Sequence, residues 1–97
     1  MLFAIYCNDK PAHVELRLAT RPKHLEYLKS WGKKLTLGGP MLDPEGKPIG
    51  SIVLLEAADR AEAEAYVAGD PYTKAGLFES SFIRPMRIVV KDGELLG

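Results

Sequence analysis

Leu35-Thr-Leu-Gly-Gly-Pro-Met-Leu42, Asp43-Pro-Glu-Gly-Lys-Pro48 and Ile49-Gly-Ser-Ile-Val-Leu-Leu-Glu56 are three consecutive pieces whose reading decides the fold. The outer two are apolar and strand-like, with a break in the first at Gly38-Gly39-Pro40. The middle piece has proline and glycine where a chain reversal wants them. The stretch is therefore two successive antiparallel strands. Working outward, helical patterns flank this pair on both sides, and a further strand lies beyond each helix.

Upstream, Val14, Leu18, Leu25, Leu28 and Trp31 recur at helical intervals between Ala12 and Trp31, ended by Gly32-Lys33-Lys34. Pro22 interrupts the pattern, so this helix either kinks there or restarts with Thr20 as its cap. Leu2 to Asn8 is the first strand, closed by Asn8-Asp9-Lys10-Pro11, a turn-forming cluster. Downstream, Asp59 caps a second helix over Arg60 to Ala68, with Gly69 expected in a left-handed stopping position. Asp70-Pro71 starts a short helical turn to about Ala75, Leu77 to Val90 forms a long last strand bent at Pro85, and Asp92-Gly93 turns into a short tail. The order strand, helix, strand, strand, helix, strand predicts an α+β, ferredoxin-like (βαββαβ) domain. Its four-stranded antiparallel sheet carries both helices on one face.

With 97 residues the chain suits one domain over 1–97 with a single two-layer core. Lys plus Arg and Asp plus Glu both number 13, so no broad field attracts nucleic acid or an anionic membrane. An RNA-binding sheet is further disfavoured because the first and third strands lack paired aromatics for stacking bases. The opening apolar run is too short for a signal segment and no stretch approaches a spanning helix, which predicts a soluble, cytoplasmic protein. Cys7, the one cysteine, excludes an internal disulfide and reads as a small core residue. His13 and His24 do not make a metal-ligand spacing, so neither a metal nor any cofactor is expected.

The strands are apolar on both faces: Phe3, Ile5 and Cys7 alternate with Leu2, Ala4 and Tyr6, and Ile52 and Leu54 with Val53 and Leu55. A sheet covered on one side only would leave the second set in water. This predicts a homodimer packed through the sheet face.

Few residues are left for chemistry. If the helix is continuous through Pro22, His24 shares a face with Arg17 and Arg21, a set able to bind an anion, although the two arginines by themselves read as solvated. Asp70 begins a helical turn, where backbone donors hold its carboxylate. If it accepts from one nitrogen of His24, it fixes the tautomer and leaves the other nitrogen free as a base, the logic of a His–Asp dyad. Gly39 and Pro40 belong either to a bulge or to a backbone that approaches a ligand oxygen. Ser51 and Tyr72 are hydroxyl donors able to orient a substrate, or ordinary surface groups.

Together, Glu15-Leu-Arg-Leu-Ala-Thr-Arg-Pro-Lys-His24-Leu, Leu37-Gly-Gly-Pro40, Gly50-Ser51, and Gly69-Asp-Pro-Tyr72 with Ala75-Gly-Leu77 resemble the YCII-related family over essentially the whole chain. The resemblance implies a dimeric ferredoxin-like α/β barrel whose cleft holds a His–Asp pair, by position His24 and Asp70. It also implies kinship with lyase-type dehydrochlorination of aromatic compounds. Two functions compete. One is a cofactor-independent enzyme doing acid/base elimination or isomerisation on a small polar or aromatic molecule; the other is a non-catalytic dimer that binds a small metabolite in the same cleft.

Overall fold

The computed structural model describes all 97 residues. Strand β1 (Leu2–Asp9) leads into helix α1 (Val14–Trp31) and a single 3-10 turn at Gly32–Lys34. The hairpin β2 (Leu35–Leu42) and β3 (Pro48–Glu56) follows, then α2 (Arg60–Gly69), the one-turn α3 (Pro71–Lys74) and β4 (Phe78–Met86). The four strands lie in the order β2-β3-β1-β4 with every pair antiparallel, the ferredoxin-like topology. No helix is long and apolar enough to cross a membrane.

Alternation along the strands sets the core. Phe3, Ile5 and Cys7 of β1, Val53 and Leu55 of β3 and Ile83 of β4 are buried beneath Ala63 and Tyr66 of α2. Tyr27, Leu28 and Trp31 of α1 pack against this cluster, with the Trp31 ring edge-on to Tyr66 at 5.3 Å. Burying each large apolar side chain contributes about 1.5–3 kcal/mol. The residues between them point the other way, and Tyr6, Ile52 and Phe82 remain exposed there.

Four local expectations are corrected. Pro22 neither restarts α1 nor makes Thr20 a cap: the helix runs through it, and the Thr20 hydroxyl donates back to Leu16 O at 2.8 Å. Pro22 and Leu18 are both exposed, so water can reach the carbonyl that the missing donor leaves. The bulges of β2 flank the glycines, between Leu35 and Leu37 and between Met41 and Leu42, while Gly38, Gly39 and Pro40 stay in register with Val53, Ile52 and Ser51.

Gly69 is not left-handed. It is the last residue of α2, and a Cβ there would stand 2.5 Å from Tyr27 Oη. Close approach of α1, rather than a turn, accounts for this glycine. The final strand ends at Met86, one residue past Pro85 on an edge strand, where a missing donor is tolerated. Val90–Lys91 (β5) and Glu94–Leu95 (β6) form a separate hairpin, closed by Asp92 and Gly93 at positive φ.

Candidate active site

The end of β1, the first half of α1, the middle of the β2–β3 hairpin and the start of α3 meet around one pocket of about 420 Å³. At its back, Asp70 caps α3: its Oδ1 accepts the Tyr72 backbone N–H at 2.9 Å. The same oxygen lies 2.9 Å from His24 Nδ1. A carboxylate oxygen accepts, so the neutral imidazole carries its proton on Nδ1 and its lone pair on Nε2. Nε2 has no protein partner, and the sole polar side-chain atom sealed away without one is Thr73 Oγ1. His24 lines the pocket, so Nε2 faces accessible space.

Tyr72 packs its ring on His24, centroids 4.0 Å apart and planes 18° from parallel. The Arg17 guanidinium carbon is 4.5 Å from the same ring centroid. Arg17 and His24 are two turns, or about 10 Å, apart along α1, and the phenol ring fills the gap between them. Burial raises the Tyr72 phenol above its ordinary pKa against the opposing pull of Arg17, which keeps it a neutral donor near pH 7.

Arg17 is buried, with its Nε on Asp9 Oδ2 at 2.6 Å and its Nη2 on Asp9 Oδ1 and Ser51 Oγ, both at 2.9 Å. Burial works against the guanidinium charge, and the hydrogen bonds and charge of Asp9 more than offset it, raising its pKa. Beneath the site the Cys7 thiol is buried, and burial pushes its pKa up.

The residues singled out from sequence are brought together. Arg17, Arg21, His24, Gly39, Pro40, Ser51 and Tyr72 all line the pocket, and Asp70 stands behind His24. The helical spacing aligned Arg17, Arg21 and His24 as expected. Arg21 is exposed and takes part in no ion pair, whereas the solvated reading of Arg17 is overturned by its partner on β1. Ser51 and Tyr72 are likewise not surface groups but buried ones.

Asp9 was missed. Its surroundings in sequence spelled a turn, and no pattern signals that a strand-end carboxylate will meet a helix arginine eight residues on. No group of three His, Cys, Asp or Glu side chains is gathered to hold a metal.

A family model described as the YCII-related domain matches residues 1–87. The chain belongs to the YCII-related family. Protein YciI of Escherichia coli O6:H1 is 37% identical over 98 residues, a match spanning 92% of this chain and 99% of that protein. Among solved structures, this YCII-related chain is similar to the 5-chloro-2-hydroxyhydroquinone dehydrochlorinase of Burkholderia phenoliruptrix AC1100, in complex with 2,5-dihydroxybenzoquinone. That likeness has a TM-score of 0.84 at 34% identity, covering 90% of this chain and 94% of the other. An antibiotic biosynthesis monooxygenase shares the fold at a TM-score of 0.58 and 18% identity, covering 93% of this chain and all of its own.

Proposed function

We propose that this protein is a small cofactor-independent lyase-type enzyme in which His24 and Asp70 perform acid/base chemistry on a small aromatic molecule. The observation that carries this reading is the His24–Asp70 contact at 2.9 Å with Nε2 facing the pocket. The likeness to a dehydrochlorinase at 34% identity supports the reaction class.

In the proposed elimination, Nε2 takes a proton from a substrate C–H or O–H. The electron pair of that bond forms a new double bond, and the leaving group departs with the pair of the bond that breaks. Asp70 orients the ring throughout and stabilises the imidazolium that forms. The imidazolium then returns its proton to water. A correctly placed base of this kind contributes about 10²–10⁴ in rate. Tyr72 and Ser51 supply hydroxyls at the wall, and Gly39 and Pro40 let the backbone approach the ligand closely.

The test is chloride release from a chlorinated hydroxyhydroquinone by the purified chain and by His24→Gln. Turnover in the parent with loss in the variant is expected. Equal turnover removes His24 from the mechanism, and binding without turnover in either protein leaves only a ligand-binding role.

The same reading has the protein act as a homodimer joined through the open sheet face. Tyr6, Ile52 and Phe82 are each about two-fifths exposed on that face, and covering that remainder contributes roughly 0.6–1.2 kcal/mol per side chain. Light scattering after size exclusion should give twice the 10.7 kDa chain mass, and Tyr6→Asp with Phe82→Asp should return the single-chain mass. A parent that elutes as a monomer at micromolar concentration refutes the dimer.

A further inference from the structure

Two buried oxygens beside the His24–Asp70 pair have no partner in the protein. Asp70 gives Oδ1 to both the His24 ring and the Tyr72 N–H, which leaves Oδ2 without a donor. The other is the phenol oxygen of Tyr66 on α2, for it is the backbone carbonyl of Tyr66, not its ring, that takes the Tyr27 hydroxyl. Asp70 is 4% exposed and Tyr66 2%, so bulk water serves neither. Nor is either oxygen sealed off by protein, a condition met by Thr73 Oγ1 alone. Both therefore border an internal space.

That space is a second, smaller cavity of about 10 Å³ behind the dyad. Asp70 and Tyr66 line it and do not line the larger pocket, whereas His24 and Ser51 stand between the two and line both. Its volume is about what a single water molecule needs. Apolar cavities stay dry, but this one has polar groups able to hold a water in a definite orientation. The carboxylate oxygen can only accept, the phenol can donate, and Ser51 Oγ, which accepts from Arg17, still has its own proton to give. Burial, with the nearby Asp70 charge, raises the Tyr66 phenol, so its O–H is retained and the two groups interact across the cavity.

We propose that this cavity is a water site whose single molecule accepts from the Tyr66 hydroxyl and donates to Asp70 Oδ2, and that Tyr66 is thereby a positioning residue for the His24–Asp70 pair. Its part in turnover rests on the acid/base reading, while the water itself does not. No direct hydrogen bond joins Tyr66 to Asp70, and a bridging water serves nearly as well as one. Ser51 supplies a third bond, the usual number for a buried water. With two N–H donors on Oδ1 and the bridge on Oδ2, the carboxylate cannot turn Oδ1 away from His24 Nδ1 without breaking contacts on both sides.

The first measurement is a crystal structure of the full chain that resolves ordered water. One peak within about 3.2 Å of both Asp70 Oδ2 and Tyr66 Oη is expected. A dry cavity, or a direct contact between the two oxygens, overturns the proposal.

The second is Tyr66→Phe, which keeps the ring and removes the donor. The His24 Nδ1–H proton resonance should move downfield, because a carboxylate with weaker donors elsewhere pulls harder on the proton that remains. At unchanged KM, kcat should fall about two- to tenfold, the worth of one hydrogen bond. A variant with lowered Tm but the parental resonance and kcat has lost only packing, which overturns the positioning role. Should Tyr66→Phe not fold, the crystal structure decides. A bridge found in a chain that never turns over keeps the water and sinks the acid/base reading, whereas turnover beside a dry cavity sinks the bridge and leaves that reading standing.

Discussion

Asp70→Asn and Asp70→Ala separate the two jobs of this carboxylate, because Oδ1 both caps α3 and holds His24. Asparagine is as good a cap as aspartate and keeps an oxygen for the Tyr72 N–H, so its stability cost should stay below about 1 kcal/mol. Alanine removes the cap and with it the acceptor of the Tyr72 N–H, about 1 kcal/mol, and strands His24 Nδ1 in a part-buried setting for about 1–3 kcal/mol more. For a chain of this length a sum of about 2–4 kcal/mol lowers Tm by roughly 10–25 °C.

Function should divide differently. Asparagine keeps the oxygen that accepts from Nδ1–H but carries no negative charge, so the imidazolium that forms in turnover is no longer stabilised. Both substitutions should then cost about 10²-fold or more in kcat, the contribution expected of a placed acid/base group. Thermal unfolding by circular dichroism, steady-state kinetics and the ¹⁵N shifts of the His24 ring measure the three effects. An Asp70→Asn protein that keeps parental kcat would refute the need for a charged partner to His24, whatever its Tm.

Three further outcomes follow from packing and burial. Gly69→Ala should destabilise by about 1–2 kcal/mol despite alanine's better helix propensity. The new Cβ displaces Tyr27 Oη from its 2.8 Å bond to Tyr66 O. In a Tyr27→Phe background the same change should cost less, and additive urea midpoints would refute the clash. Burial raises the phenols of Tyr27, Tyr66 and Tyr72 above their ordinary value of 10.0, so each stays protonated in the fold while the unfolded chain ionises first. Their contribution is full below pH 10 and is lost as pH rises above it; a urea midpoint unchanged between pH 9 and 11 contradicts this. Cys7, buried with its thiol pKa pushed up, should resist iodoacetamide at pH 8 until the chain unfolds, and rapid labelling of native protein would contradict that burial.

How much of this was legible beforehand depends on how local the cause is. The hairpin Leu35–Glu56, the helices on either side and the Asp59 and Asp70 caps are set by residues within a few positions of each other, and those elements form. So do the alternating strand faces that bury Phe3, Ile5 and Cys7 while exposing Tyr6. Punctuation was less reliable: Pro22 reads as a kink or a restart, yet α1 continues past it as one helix, and Gly69 ends α2 as read but without the left-handed conformation, its small size making room for Tyr27. At Gly69 a neighbour distant in sequence, Tyr27, decides the residue, while at Pro22 exposure lets water satisfy the freed carbonyl.

The amino-acid sequence by itself determined the element order, the two-faced apolar strands and the types of side chain available for chemistry, because periodicity and capping act over one or two turns. Tertiary structure alone decided that Asp9 lies against Arg17, that Tyr72 fits between a guanidinium and an imidazole, and that Ser51 is buried. Those contacts join β1, α1, β3 and α3 across 8 positions for Asp9 with Arg17 to 55 for Arg17 with Tyr72, and 34 separate Arg17 from Ser51. A buried charge has to find its partner in space, and that partner is fixed by which elements the core brings side by side.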